Sequence, residues 1–451
     1  MDSRNAGNVH SHVPDAVVWS ALALTGAALC LLCWAFAHTD RTLAMRARML
    51  WLFLGAFAVF LLAVLAAWRA RPELSPRLVW PILILGIGLR LAVAPVRPAT
   101  TSDIYRYLWE GRVVRAGMNP YADPPDSPRL QRLRDWVWTL VPFKSVPAAY
   151  PPVAQYVFAA AGLLPGNPII VLKLVLALFD IGTVLLLVSI LGPMKLPRSW
   201  VILYAWHPLA VCEVVARGHL DSLGIFLMVL AARLLLTPAR AGFALSGAAL
   251  AASILAKGYA VLAAPFMFLA ARPRRGTFLL SMTATAALLY APFASAGLGL
   301  FRGASMYAGQ WKGNSSVFAL VNLALSRVSP HHDTIARVIC LSATVIWVVV
   351  LVKKASAAPE NRALMARLTL LAMIGFFLLS PPVYPWYLAW TLPWLCLSPN
   401  APWLVLTGTI FGFYAHDFAG HHREIWWVTV AEYGLPLFVA ALTTLRPRRD
   451  P

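Results

Sequence analysis

Long apolar runs alternate with short polar segments along most of the 451-residue chain. An α-helix rises about 1.5 Å per residue, so about 20 apolar residues can cross the roughly 30 Å hydrocarbon core of a bilayer. Several runs are shorter than this, so we expect tilted or broken helices among them. The pattern therefore predicts an all-α polytopic membrane protein. The candidate spans, about fourteen by this pattern, cover residues 17–37, 49–67, 79–96, 168–191, 199–215, 221–236, 241–256, 258–270, 277–296, 334–352, 363–380, 387–399, 401–416 and 428–445.

The composition agrees with a membrane protein, since 60% of the residues are hydrophobic and only 12% are charged. The net charge of +20 does not indicate a nucleic-acid partner, because the basic residues recur in short loops and form no stripe interleaved with stacking aromatics. All five cysteines lie in apolar runs, where neither a disulfide nor a zinc site is expected.

The basic loops predict the orientation of the chain, because short cytoplasmic loops carry an excess of Lys and Arg. Six basic groups fall on one side, which we expect to be cytoplasmic with both termini. The loop with Arg41, Arg46 and Arg48 falls on the opposite side and disagrees with this assignment. The six groups are Arg69/Arg71/Arg77, Lys195/Arg198, Arg240, Arg272/Arg274/Arg275, Lys353/Lys354/Arg362 and Arg446/Arg448/Arg449.

The polar, aromatic-rich motifs all fall on the opposite side of the membrane. Their content is too specific for loops that are merely solvated, so they predict a shared extracytoplasmic cavity. The segment 97–168 is the one long loop on this side, and its tryptophans and apolar residues predict interfacial helices. The motifs are "TSDIYRYLWEG", "AAYPPVAQY", "RGHLDS", "AKGY", "GQWKGNSS", "SPPVYPWYLAW" and "AHDFAGHHREIWW".

Asp103 follows a span that ends at prolines, and Thr100 to Ser102 offer caps for a helix beginning near it. Arg106, Tyr107 and Glu110 follow at i+3, i+4 and i+7, hence on the same helical face. A carboxylate at a membrane boundary beside aromatic rings can be partly desolvated, which makes it a better proton acceptor. The alternative is a helix cap with a surface Arg/Glu pair.

The segment "CEVVARGHLDSLG" places Glu213, Arg217 and Asp221 at successive i+4 steps, with His219 beside a glycine. Two carboxylates and a histidine could bind a divalent metal. An Arg217 flanked by two salt-bridge partners explains the spacing equally well. The Asp-x-Asp triplet that nucleotide-sugar enzymes commonly use for their metal does not occur in the chain.

Lys257 lies between two apolar runs, where a charged side chain costs roughly 2.5 to 3.5 kcal/mol on the insertion scale. An anion should therefore meet it, either a protein carboxylate or a lipid phosphate. Arg106 and Lys312 are further phosphate candidates on the same side of the membrane.

Tyr384 and Trp386 begin a cluster of aromatic residues near the start of a span. Such clusters commonly form the aromatic belt at the lipid interface, and aromatic faces also dock sugar rings.

The cluster of His416, Asp417, His421 and His422 has a metal-like composition, but it lies at an irregular turn, and we predict no metal site.

The motifs together resemble a family. The segments "SDIYRYLWEGRVVRAGMNPY", "YPPVAQYVF", "GHLDSL", "LAKGY", "WKGNSSVF" and "SPPVYPWYLAW" occur in an order that resembles the glycosyltransferase C (GT-C) superfamily. Within it the chain looks most similar to bacterial polyprenol-phosphate-mannose-dependent mannosyltransferases. The resemblance implies a GT-C-like bundle of about 12 to 14 transmembrane helices with a long first external loop.

The resemblance also implies a division of the chain and a reaction. Residues 1–78 would form two accessory N-terminal spans, 79–445 the catalytic domain with external loop 97–168, and 446–451 a basic cytoplasmic tail. The enzyme would transfer a hexose, mannose by analogy, from a polyprenyl-phosphate carrier to a lipid or glycan acceptor outside a bacterial inner membrane, with inversion. The rival hypothesis is a transporter or flippase of a lipid-linked or anionic glycan.

The predicted site combines the residue patterns with the resemblance. The family's catalytic carboxylate maps onto Asp103, its Gly-His-x-Asp turn onto Gly218, His219 and Asp221, and its lysine onto Lys257. We expect no cofactor, with a divalent metal left open, and no nucleic-acid partner. The assigned roles are general base for Asp103, donor phosphate binding for Lys257, Arg106 and His219, and sugar or acceptor binding for Tyr107, Glu110, Asp221, Trp311, Asn314, Tyr384 and Trp386.

Overall fold

The computed structural model describes residues 13–39, 43–70, 72–98, 101–237, 239–419 and 425–445. Within these ranges the chain is helical, and it contains no β-strand beyond one isolated bridge between Gly313 and Pro382. Eight helical segments are long and apolar enough to cross a membrane. The predicted all-α polytopic membrane class is therefore confirmed. Outside the described residues lie Arg41, Arg71, Thr100, His421, His422 and the tail 446–451.

The first three helices are long, and each contains most of one predicted apolar run. The first two pack against each other, and Phe53 of the second stacks on Phe411 of the C-terminal part with the ring centroids 3.7 Å apart. The N-terminal pair is thus packed against the body of the protein. The three helices are α1 (Asp15–Ala37), α2 (Leu43–Arg69) and α3 (Ser75–Val93).

The long loop after α3 folds into three helices, α4 (Asp103–Arg115), α5 (Trp136–Leu140) and α6 (Pro152–Ala161). Helix α4 approaches α6 closely at Gly111, where an added Cβ would lie 2.5 Å from the carbonyl oxygen of Phe158. Leu108, Trp109 and Phe158 form the buried core between them. The loop is therefore a packed layer that fixes the start of α4.

Helix α7 (Pro168–Leu191) has the bounds that the apolar pattern predicts. The apolar run at 199–215 is instead divided into α8 (Ile202–Ala205) and a π-helical turn over Leu209–Val215. Pro208 between them lacks the N–H that a continuous helix needs. The next helices, α9 (Asp221–Leu234), α10 (Arg240–Ile254) and α11 (Ala264–Ala270), are shorter than a bilayer crossing.

The remaining chain alternates long and broken helices. Segments predicted as spans at 387–399 and 401–416 are 3₁₀ turns joined to short α-helices, with Pro385, Pro393 and Pro402 at helix starts. The helices are α12 (Arg275–Tyr290), α13 (Arg302–Gln310), α14 (Val317–Ser326), α15 (His332–Ser356), α16 (Arg362–Leu379), α17 (Leu392–Leu397), α18 (Ala401–Thr409) and α19 (Trp426–Leu445).

Two arginines donate hydrogen bonds to backbone carbonyl oxygens at the ends of neighbouring helices. The Arg362 guanidinium donates to the carbonyl oxygens of Ala270 and Leu235, and Arg275 donates to that of Phe268. These helix ends belong to the predicted cytoplasmic side. The arrangement agrees with the grouping of basic loops that the charge pattern predicts.

A buried ion pair joins α3 to α7 inside the bundle. Arg90 Nε lies 2.5 Å from Asp180 Oδ2, and both side chains are fully buried. The Tyr204 hydroxyl donates to Asp180, and Arg90 also donates to the carbonyl oxygens of Gly86 and Ala205. Because the contacts with Asp180, Tyr204 and Ala205 join α3 to α7 and α8, we assign the pair a structural role.

Candidate active site

Helix α4 begins at Asp103, as the sequence predicts. The Asp103 N–H donates to Thr101 Oγ1 at 3.3 Å, while Ser102 occupies the N-cap position without a side-chain capping bond. Within the described part of the chain the Asp103 carboxylate receives no hydrogen bond from a helix N–H. The alternative of a helix cap is therefore not what the geometry shows.

The Asp103 carboxyl keeps 32% of its side-chain surface exposed. We use the term cleft for the group of side chains around it, which consists of Asp103, His219, Lys257, Asp221, Trp386 and Tyr384. The Oδ2 atom of Asp103 is 3.8 Å from Nδ1 of His219. Burial raises the pKa of Asp103, the Lys257 cation acts in the opposite direction, and the Asp221 carboxylate raises the pKa further. A carboxylate in this setting holds a proton more readily than an ordinary aspartate.

His219 stands in the turn between the π-helical segment and α9. The preceding Gly218 has φ +74°, and a Cβ there would lie 2.8 Å from Cγ of Lys173, so only glycine fits the turn. The His219 ring is buried against Trp386, with centroids 4.2 Å apart and planes 11° apart. Burial, with Lys257 and Arg217, lowers the pKa of His219 well below its usual value, which favours a neutral imidazole.

Both ring nitrogens of His219 face carboxylates. Nδ1 faces Asp103, and Nε2 lies 3.7 Å from Glu213 Oε2. Neither nitrogen has a hydrogen-bond partner among the described residues. The imidazole therefore retains one donor and one acceptor for a group that enters the cleft.

Lys257 follows α10, and its Nζ lies 2.8 Å from both carboxylate oxygens of Asp221. Trp390 Nε1 donates to the same carboxylate at 2.6 Å, and the ammonium also lies 4.8 Å from the Tyr387 ring centroid. A protein carboxylate is thus the partner of Lys257 in the described residues. An ammonium has three donors, and 13% of this side chain remains exposed.

Three flat rings line the cleft beside these charges. Tyr384 stacks on Trp386 with centroids 4.9 Å apart, and Trp386 stacks in turn on His219. Tyr384 and Trp386 are half-buried, so each keeps some exposed ring surface. Such a wall suits a sugar ring, whose C–H groups pack on aromatic faces.

Arg106 and Glu110 are paired within the protein. Arg106 Nε lies 2.5 Å from Glu110 Oε1, and the guanidinium also donates to the carbonyl oxygens of Phe143 and Val146. Gln155 Nε2 donates to Glu110 at 2.7 Å. These contacts fold the long loop after α3, so a phosphate or sugar would have to compete with them. The roles predicted for Arg106 and Glu110 stay predictions.

The other predicted residues lie at the periphery of the cleft. Tyr107 is buried, with its hydroxyl 3.4 Å from that of Tyr150. Trp311 packs against Phe143 at a centroid distance of 4.8 Å. Asn314 Nδ2 donates to the Val383 carbonyl oxygen, which ties this loop to the aromatic segment. These three residues position the walls of the cleft.

The spacing of Glu213, Arg217 and Asp221 predicts one arginine between two acids, and this prediction is half right. Arg217 pairs with Glu213 at 2.9 Å, whereas Asp221 pairs with Lys257. The Tyr414 hydroxyl donates to Glu213 Oε2 at 3.1 Å, a partner that sequence reasoning missed because it lies about two hundred positions away. Tyr414 lies in an apolar run, and this position in the sequence gives no signal that its hydroxyl binds Glu213.

Metal binding was the other hypothesis for the acids of this segment. Asp221 and Glu213 each carry a basic partner, and in the described ranges no three His, Cys, Asp or Glu side chains are grouped so that they could hold a metal ion. Of the late histidine cluster, His416 is buried with Nδ1 accepting from the Ile425 N–H. His421 and His422 lie outside the described residues.

The fold and the cleft define a polytopic membrane protein with a partly exposed carboxylate, a buried histidine and an aromatic wall in one site. The sequence comparison is more specific, since residues 4–273 match the family described as Alpha-(1->6)-mannopyranosyltransferase, N-terminal domain. The chain belongs to this mannosyltransferase family, which confirms the predicted glycosyltransferase class. No curated protein matches the chain.

The matched residues include part of the cleft. They contain α1 to α11, Asp103, His219 and Lys257, whereas the aromatic wall at Tyr384 and Trp386 lies beyond residue 273. The match also includes both N-terminal helices, which the sequence pattern set apart as accessory.

Proposed function

We propose that the protein transfers mannose from a polyprenyl-phosphate carrier to a hydroxyl of an external lipid or glycan acceptor, with inversion at the anomeric carbon. The observation that carries this proposal is the cleft itself, in which a partly exposed Asp103 carboxyl opens beside His219 and the Lys257–Asp221 pair. Mannose is the sugar that the family description names.

Asp103 acts as the general base in this proposal. The acceptor hydroxyl gives its proton to the Asp103 carboxylate while its oxygen attacks C1 of the sugar. The bond between C1 and the phosphate oxygen breaks, and its electron pair leaves with the lipid phosphate. Attack opposite the leaving group inverts the configuration at C1.

The leaving phosphate gains negative charge as this bond breaks. The third N–H of Lys257 and an N–H of the neutral His219 can donate to it, which stabilises the transition state more than the ground state. Asp221 holds Lys257 in place, and Trp386 with Tyr384 supports the sugar ring. Arg106 has no part in this scheme, because its donors are engaged by the external loop.

A transporter or flippase of a lipid-linked glycan was the rival hypothesis. The family match names a transferase and gives this rival no support. A base beside a cleft is also a feature that bond-making requires and transport does not.

Replacing Lys257 tests the phosphate-binding role, provided that the buried Asp221 is not left unpaired. We expect the double variant Lys257→Met/Asp221→Asn to insert stably but to bind polyprenyl phosphate about tenfold or more weakly, since it lacks the ammonium. Affinity would be measured by titration in detergent. Lys144→Met, which removes an ammonium bonded to the Thr139 carbonyl oxygen, is the control. Unchanged affinity in the double variant would limit Lys257 to neutralising Asp221.

The proposal places the cleft on the external face of a bacterial inner membrane, because positive loops face the cytoplasm. In a cysteine-free background we expect Ala122→Cys, in the external loop, to react with an impermeant maleimide from outside intact cells. Arg274→Cys should react only after permeabilisation. Labelling of both positions from the same side would remove the compartment that the mechanism needs. Arg448, another predicted cytoplasmic residue, lies outside the described residues.

A further inference from the structure

A second cavity lies on the other side of helix α4 from the active-site cleft. Its volume is about 500 Å³, large enough for a headgroup-sized ligand. Tyr105 and Asp103 are two residues apart on α4, and each residue turns an α-helix by about 100°. Their side chains therefore leave α4 on opposite faces. The cavity is lined by Arg97, Pro98, Tyr105, Trp136, Leu140, Asn167 and Ile169.

The cavity lies at the ends of two candidate membrane spans. Two of its walls are the segment just after α3 and the first turn of α7, and both helices are candidate membrane spans. Apolar side chains surround this region, since Trp136 and Leu140 are 51% and 42% exposed and Leu163 and Leu164 are also exposed. Exposed apolar groups at the ends of membrane spans favour contact with lipid.

The polar groups of the cavity favour an anion. Arg97 is exposed, and its guanidinium has no ion pair or hydrogen bond in the described ranges. Asn167 Oδ1 accepts from the N–H groups of Ile169 and Ile170, which leaves the Nδ2 amide free to donate outward. The lining contains no carboxylate that would repel an anion.

Aromatic and aliphatic groups complete the cavity next to this cation. Tyr105 and Trp136 meet edge to face with centroids 6.4 Å apart and planes at 82°. Trp136 and Leu140 offer exposed apolar surface, suited to the glycerol backbone and first methylenes of an acyl chain. The cavity thus combines one cation, one amide donor and an apolar side.

We propose that this cavity binds the phosphodiester headgroup of an anionic glycerophospholipid from the surrounding bilayer. A phosphodiester carries one negative charge, which matches the single guanidinium of the lining. The lipid contacts α4, α5 and the start of α7 together, so it stabilises the helix that presents Asp103. This site does not depend on the function proposed for the cleft.

The test measures lipid retention by the intact protein. The protein is reconstituted in nanodiscs of phosphatidylcholine with added phosphatidylglycerol, released, and examined by native mass spectrometry for bound phosphatidylglycerol. We expect Arg97→Gln to weaken retention about tenfold, because a charge-assisted contact to phosphate is lost. Arg129→Gln is the matched control, since Arg129 lies in the same external loop and is more than three-quarters exposed. It should retain lipid as the wild type does.

A second pair of variants tests the apolar side of the cavity. Trp136→Ala should weaken retention of phosphatidylglycerol, whereas Trp80→Ala, at an exposed tryptophan of α3, should not. Equal retention by Arg97→Gln and the wild type overturns the proposal. So does preferential capture of polyprenyl phosphate, or displacement of the lipid by inorganic phosphate at equal concentration. Because the readout is binding, these outcomes are separate from any loss of transferase activity.

Discussion

Asp103→Asn should insert, fold and bind the donor, yet transfer sugar at least about a hundredfold more slowly than the wild type, the usual scale for removing a general base. The amide keeps the shape of the carboxylate but cannot accept the acceptor's proton. The Asp103 carboxylate caps no helix in the described structure, so the variant should lose little stability. The measurement is single-turnover transfer in proteoliposomes at saturating donor.

The pH dependence of the same variant separates a base from a structural residue. Burial raises the pKa of Asp103, so the ionised form disappears as the pH falls through a value above the usual aspartate range near 4. The transfer rate of the wild type should fall as this form disappears. The pH–rate profile of Asp103→Asn should not show this decrease at low pH. Asp123→Asn in the same loop is the control. Near wild-type turnover in Asp103→Asn would direct the search for the base to Asp221 or Glu110.

The second large effect concerns the ion pair between α3 and α7. Asp180→Leu leaves the fully buried Arg90 guanidinium without its carboxylate, and we expect it to lower the free energy of unfolding by about 3 to 5 kcal/mol. Arg90→Met/Asp180→Leu should recover most of this loss, because it removes both charges. Thermal unfolding in detergent measures both variants.

The control for this pair is an ion pair that is only partly buried. Asp333 is half-buried and pairs with Lys312 and Arg337, so Asp333→Leu should cost no more than about 1 kcal/mol. If Asp180→Leu were no more harmful than Asp333→Leu, the pair between α3 and α7 would not hold the bundle together.

The long membrane helices could be predicted because each contains a long, mostly apolar run. The prediction for 168–191 has the bounds of α7, and that for 17–37 begins two residues late. The run at 199–215 appears continuous by hydropathy, yet it is broken at Pro208 and continues as a π-helical turn. Hydropathy measures transfer to lipid, whereas the break depends on one missing backbone donor.

Contacts within the site were harder to predict than the residues themselves. Spacing at i+4 places Asp221 beside Arg217 only if the helix is continuous, but Gly218 has φ +74° and interrupts it. Asp221 therefore begins a new helix and meets Lys257, 36 residues away. Sequence spacing cannot show a pairing that depends on how α9 and α10 pack.

The ion pair of Arg90 and Asp180 could have been predicted in part from the sequence. Each is an isolated charge inside an apolar run, and such charges rarely remain unpaired in a membrane. Two opposite charges in neighbouring spans therefore predict a contact, although the pattern does not say which spans are neighbours. The Tyr204 hydroxyl that completes the pair carries no such signal.

The central claim is transfer from a lipid-phosphate donor with inversion, and one assay tests it most directly. Purified protein in proteoliposomes receives a synthetic polyprenyl-phosphate mannose of defined anomeric configuration and a mannoside acceptor, and NMR determines the configuration of the new linkage. We predict transfer from this donor, none from a nucleotide-linked mannose, and a product of opposite configuration to the donor. Transfer from the nucleotide sugar alone, or a product with the donor's configuration, would contradict the account.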